Sequence, residues 1–301
     1  MKNIISFVLL MTCLPSITIS QTSSYPPEIP GTEVRIYKTI DNVELKLWLF
    51  SPDGHKADDR RPAIVFFFGG GWRSGTPTQF VKHCEYLAAR GMVAIVADYR
   101  VRSRHNVRAN KCLADAKSAI RWIRKNAHAL GIDPERIAAG GGSAGGHLAA
   151  ATGTIPDIND PNDDMSISAR PNAIVLFNPV LTVAAIPGIW RPKPENRYID
   201  RIEGNPEDIS PYHHIKTGIE PTIIFHGTAD TTVPFKTVEA FTKRMRESGN
   251  RCELIGYKGE KHAFFNYGRK SNAPFIDTVN RMDNFLVSLG YLQAVPEIEY
   301  Y

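Results

Sequence analysis

The chain has 301 residues, 43% of them hydrophobic and 22% charged, with a formal net charge of +5. These proportions are those of an ordinary globular protein and exclude collagen-like, coiled-coil and disordered classes. So mild a positive balance, with no long basic stripe, also excludes a nucleic-acid-binding surface.

Residues 1–20 read as a secretory signal peptide. Lys2 supplies the positive start, IISFVLLMTCLP is an apolar run too short to span a bilayer, and TIS places small residues before Gln21. The expectation is one domain over 21–301, secreted or periplasmic, with no membrane association after the leader is removed. An oxidising compartment then leaves Cys84, Cys112 and Cys252, which allow at most one internal pair. Cys84 with Cys112 is nearest in sequence, and three buried thiols is the equal alternative.

Along the mature chain, TEVRIYKTI and VELKLWLFSP are two amphipathic strands joined by Asp41-Asn42, a hairpin signal. PAIVFFFGGG (62–71) is a continuous apolar run of the kind buried on both faces of a sheet. A helix through FVKHCEYLAARG follows, stopped at Gly91. MVAIVADYR is the next buried strand, and CLADAKSAIRWIRKNAHALG carries apolar residues at helical spacing. Between them, Arg100, Arg102, Arg104, Arg108 and Lys111 gather around His105 in an expected loop. That loop is either a solvated face or a contact for an anionic substrate.

DPERIAAGG, NAIVLFNPV, PTIIFHG and CELIGYKG complete the strands, with helices over 235–249 and 275–290. Strands alternating with helices predict an α/β fold: a mostly parallel sheet of about eight strands with helices on both faces. Residues 181–218, rich in proline and aromatics, are too long for a plain connection and are expected to form a small cap-like insertion.

Where a strand should hand over to a helix, Gly141, Gly142, Ser143, Ala144 and Gly145 fit G-x-S-x-G. A sharp strand-to-helix turn needs glycine flanks where a Cβ would clash, and it leaves the serine exposed at its tip. A phosphate-binding glycine loop is excluded, because no G-K-[ST] ending or ribose-holding acidic residue accompanies it. A serine hydroxyl requires a base and a group to orient that base. Asp230, after the buried strand PTIIFHG, and His262, after the last strand, follow Ser143 in the chain order this architecture uses. Asp200 and Asp208 follow no buried strand. The run FFGGGW (67–72) then supplies an oxyanion cradle: the amide of Gly70 or of Gly71, with that of Ala144.

Residues 60–290 resemble the α/β-hydrolase superfamily through GGGWRSG, ADYR, GGSAGGHLA, HGTAD and KHAFF. Within it they are similar to secreted bacterial carbohydrate and feruloyl esterases. The resemblance implies hydrolysis of carboxylic esters through an acyl-serine, with short acyl or feruloyl groups on plant polysaccharides as the substrate class. Phe68 stands where lipase-like relatives carry histidine, so their preference for lipid-like substrates does not carry over with the resemblance.

Trp72, Trp190 and Tyr212, together with Tyr198, are candidates to stack on a sugar or feruloyl ring or to seal the core. No cofactor is expected, and His213-His214 lacks further ligands at zinc spacing, so no metal either. His147 and His226 read as packed structural residues, and Asp98 and Arg100 as an ion pair or turn fixture. The competing functions are a prolyl-oligopeptidase-like peptidase, which lacks room for a propeller domain here, and a non-catalytic binding protein on the same fold.

Overall fold

The computed structural model describes residues 25–193 and 199–294. The expected leader, and Tyr198, lie outside the described residues. Eight strands form one sheet in the order β1-β2-β4-β3-β5-β6-β7-β8: β1 Glu33–Ile40, β2 Val43–Phe50, β3 Arg61–Phe67, β4 Val93–Ala97, β5 Ile132–Gly142, β6 Ala173–Phe177, β7 Thr222–Gly227 and β8 Cys252–Tyr257. β1 and β2 pair antiparallel, and β2 runs antiparallel to β4; the strands from β4 across to β8 are all parallel. Asp41 and Asn42 take positive φ of 48° and 63°. Two such residues between two strands make the tight hairpin whose twist matches that of the strands it joins.

Helices cover both faces: α1 Val81–Ala89, α2 Arg102–His105, α3 Ala109–Lys125, α4 Ala144–Thr154, α5 Phe235–Glu247 and α6 Ala273–Ser288. Because side chains alternate along a strand, β3 divides its apolar run between two cores. Ala63, Val65 and Phe67 face α3, α4 and α5, whereas Ile64 and Phe66 face α1 and α6. This arrangement is the α/β-hydrolase fold. Among the described residues no helix is long and apolar enough to cross a membrane.

Two details depart from the sequence reading. The stretch 100–111 is not a plain loop: it holds α2, ended by Asn106 at φ 50°, and the first turn of α3. Arg100 leaves the surface altogether, its guanidinium gripping the buried carboxylate of Asp115 at 2.8 and 2.9 Å. Asp98 accepts from the Tyr99 amide and the Tyr25 hydroxyl, so of the two ADYR charges Arg100 takes the expected ion-pair role, with Asp115, and Asp98 the turn-fixing one. A Cys84–Cys112 bridge is also overturned. All three described cysteines are free and buried, and Cys84 on α1 and Cys112 on α3 belong to the cores on opposite faces of the sheet.

Candidate active site

The carboxyl ends of β3, β5, β6, β7 and β8 meet at one edge, where parallel sheets place their sites. β5 ends at Gly142 and α4 begins at Ala144, so the whole reversal falls on Ser143, which takes φ 54° and ψ −115°. A non-glycine residue in that region carries strain of about 1–3 kcal/mol and is held only where its surroundings over-determine it. Here they do: the Ser143 amide donates to Phe177 O at 2.9 Å, and its carbonyl accepts from His147 and Val180 at 3.0 and 3.2 Å. The bare backbone around it is a packing requirement. A Cβ on Gly141 would come within 2.6 Å of Phe67 O, and one on Gly145 would strike the same carbonyl.

Ser143 Oγ lies 3.0 Å from His262 Nε2, and His262 Nδ1 lies 2.7 Å from Asp230 Oδ2. A ring that donates from Nδ1 to a carboxylate presents Nε2 as the acceptor for the serine hydroxyl. Asp230 is buried and fully committed. Its Oδ1 accepts from the Thr232 and Val233 amides at 2.8 and 2.9 Å, and its Oδ2 also accepts from Asn178 Nδ2 at 2.7 Å. Burial alone would push this carboxyl up. The hydrogen bonds from His226, His262 and the Val233 amide outweigh burial and hold it well below the usual carboxylate range.

The glycine loop expected to hold the oxyanion follows β3. The Gly69 amide is occupied by Gln79 Oε1 at 2.6 Å, whereas those of Gly70 and Gly71 donate to no backbone carbonyl among the described residues. Gly70 takes φ 119°, open to glycine and closed to other residues, and this turns the loop across the site. Ala144 opens α4, so its N–H is one of the amides a first turn leaves without an intrahelical partner. The three glycines, Ser143 and His262 border a cavity of about 330 Å³.

Trp72 lines this cavity with its indole almost wholly buried, 5.0 Å from the His147 ring. Trp190 sits on a separate surface groove with Pro234 and Lys236, and Tyr212 lies under the Arg244 guanidinium. Neither borders the Ser143 cavity: the insertion packs residues 211–214 against α4 and places Arg201, not these rings, on the cavity wall. His147 is buried, its Nε2 2.6 Å from Ile209 O, and burial lowers it to about 4 despite that bond. His226, next to the end of β7, has Nε2 2.9 Å from Val233 O and 3.3 Å from Asp230 Oδ2. His213 and His214 join no metal-holding group among the described residues.

Sequence reasoning missed Gln79, Asn178 and Arg201. Gln79 Nε2 donates to Asn266 Oδ1 at 3.0 Å, so this one side chain ties the oxyanion loop to the loop that carries His262. Asn178 carried a signal: it directly follows a buried strand, where a polar residue that tolerates positive φ is placed to turn and bond.

A model of the BD-FAE family matches residues 47–245, and one of the dienelactone hydrolase family matches residues 204–298. Among solved structures, the apo form of Thermogutta terrifontis esterase 2 is 54% identical with a TM-score of 0.86, covering 90% of this chain and 100% of that one. The same esterase phosphonylated by sarin matches at 53% identity and a TM-score of 0.87, covering 90% and 100%; its propionate-bound form matches at 54% and 0.86, covering 91% and 100%. Esterase LipC of Mycobacterium tuberculosis is 30% identical over 67% of this chain and 53% of its own length. The isoprenylcysteine alpha-carbonyl methylesterase ICME of Arabidopsis thaliana is 27% identical over 74% and 54%. The chain thus spans about half the length of these curated relatives. Since the first family model runs from β2 through most of α5, well over half of the sequence, the chain belongs to the BD-FAE family.

Proposed function

We propose that this protein is a serine carboxylesterase with Ser143 as nucleophile, His262 as general base and Asp230 as the group that orients the imidazole. The observation that carries the reading is the unbroken relay from Ser143 Oγ through His262 to Asp230, at 3.0 and 2.7 Å. His262 Nε2 takes the hydroxyl proton as Oγ adds to the ester carbonyl. The developing oxyanion is met by the Gly70 or Gly71 amide together with that of Ala144, each such donor being worth about 3 kcal/mol of barrier. Collapse expels the alcohol, which takes the proton from His262, and water then releases the acid from Ser143 by the same route. His262 alternates between accepting and donating, while Asp230 stays ionised throughout, as its depressed pKa favours.

The natural substrate in this proposal is an ester of a short acyl or a feruloyl group on a plant polysaccharide. The compact cavity at Ser143 and the propionate-bound form of the Thermogutta esterase support the short-acyl part; the feruloyl and polysaccharide part rests on the sequence resemblance. Export to a secreted or periplasmic location, read from residues 1–20, belongs to the same proposal. The test is hydrolysis of 4-nitrophenyl esters of increasing chain length beside acetylated and feruloylated xylan. Acetyl or propionyl turnover above palmitoyl, abolished in a folded Ser143→Ala variant, is the expected result. Faster palmitoyl turnover would overturn the substrate class, and retained activity in the variant would overturn the nucleophile.

A further inference from the structure

A second cavity, of about 430 Å³, opens beside the one at Ser143, and Gly71, Trp72, Arg73 and Arg201 are walls of both. Its other polar walls include Arg102, Ser103 and Asp200. Among the described residues three guanidinium groups line this space against one carboxylate; Arg201 and Asp200 each hold a further interaction, so the uncompensated charge here is that of Arg73 and Arg102. The Arg73 side chain is exposed and forms no ion pair among the described residues. Arg102 Nη1 donates to the backbone carbonyl of Asp200 at 3.1 Å, not to a carboxylate. Arg201 packs its Nη1 against the bare α-carbon of Gly71, on the oxyanion loop itself.

Arg201 holds a further interaction as well, and three other arginines nearby are spoken for. Arg100 is locked to Asp115, Arg104 holds Gly75 O and the Tyr25 hydroxyl, and Arg108 donates to Ile202 O. Of the basic run in the sequence, Arg102 alone borders this cavity, joined there by Arg73 and Arg201 from distant segments. Cations of one sign on a concave wall focus their field into the space they enclose, and guanidinium groups favour carboxylate oxygens through paired, charge-assisted bonds.

We propose that this cavity is an anion subsite, which takes a carboxylate carried by the ester substrate on the portion that extends past the oxyanion loop. The proposal deepens the esterase reading and rests on it. A bound carboxylate draws the reacting ester toward Gly70 and Gly71, so the charge acts on substrate capture and register, and the chemistry at Ser143 is unaltered.

Two substrate pairs test it. One is 4-acetoxybenzoate against its methyl ester, with the charge on the alcohol half. The other is 4-nitrophenyl hemisuccinate against 4-nitrophenyl methyl succinate, with the charge on the acyl half. In at least one pair the anionic member should show kcat/KM about tenfold above its neutral partner at low salt, a preference that molar salt erases. The ratio should fall toward one in Arg73→Gln and in Arg102→Gln, tested singly. Preference for the neutral member in both pairs, or a ratio that survives both substitutions, would overturn the subsite. A wild type that hydrolyses none of the four esters would overturn the esterase reading and the subsite with it.

Discussion

Asn178 donates from Nδ2 to Asp230 Oδ2 at 2.7 Å, the same carboxylate oxygen that His262 Nδ1 meets at 2.7 Å. One oxygen thus joins the loop after β6 to the relay, and the amide sets the angle at which the carboxylate faces the ring. Asn178→Ala removes a hydrogen bond to a charged group. We expect kcat to fall about tenfold with little change in KM. A change confined to KM in steady-state kinetics would contradict this positioning role.

Asp230→Asn keeps the size of the side chain and offers His262 Nδ1 a donor or a weaker acceptor, which favours the wrong tautomer. The expected loss is about 10⁴-fold in kcat, with the fold retained by circular dichroism. Asp200 and Asp208 stand as controls: if either, and not Asp230, produced that loss on conversion to asparagine, the assignment of the orienting group would fail.

Ser143→Gly removes the nucleophile and the positive-φ strain together. Relief of about 1–3 kcal/mol is partly offset by the greater chain entropy of glycine, about 0.5–1 kcal/mol. The variant should be inactive and melt higher than wild type by up to about 4 °C, whereas Ser143→Ala should not show this gain. Calorimetry on the two variants side by side distinguishes strain from a simple loss of the hydroxyl.

Gln79 joins the Gly69 amide to Asn266 across the mouth of the site. With Gln79→Ala the oxyanion loop loses its tie to the loop bearing His262, and kcat should drop about 10- to 100-fold through misaligned donors. Gln79→Glu keeps the acceptor for Gly69 but not the donor for Asn266, and should recover part of the loss. Full activity in the alanine variant would mean the loops hold their places without this bridge.

Burial lifts the Asp98 carboxyl to about 6, against the opposing pull of the Tyr25 hydroxyl, the Arg104 charge and the Tyr99 amide. A carboxyl raised in the folded state stabilises the fold fully below its unfolded pKa of about 4. That contribution, at most about 3 kcal/mol, is lost as pH rises through about 6. Asp98→Asn should abolish this fall between about pH 4 and 6 in urea unfolding, since an amide carries no titrating proton. An unchanged slope in the variant would assign the pH dependence to other groups.

The chain alone determined most of the frame. Doubly buried strands such as PAIVFF announce themselves as unbroken apolar runs, amphipathic helices by their 3.6-residue period, and the hairpin by Asp41-Asn42. The turn at Ser143 was legible for a related reason: steric exclusion of Cβ atoms is a local demand, and glycine is the only residue that meets it. Asp230 and His262 could be placed because each follows a strand whose end the same periodicity marks.

What tertiary structure decided is everything that depends on which strand ends become neighbours. Cys84 and Cys112 are close in sequence, yet their helices cover opposite faces of the sheet, which no spacing records. Gln79, Asn178 and Arg201 reach the site from three separate loops. Trp190 and Tyr212, chosen for their rings, are carried away from it by the path of the insertion. Periodicity and steric limits are written in near neighbours along the backbone. Side-chain encounters across a sheet are set by strand order and register, which emerge only when the whole core is buried at once.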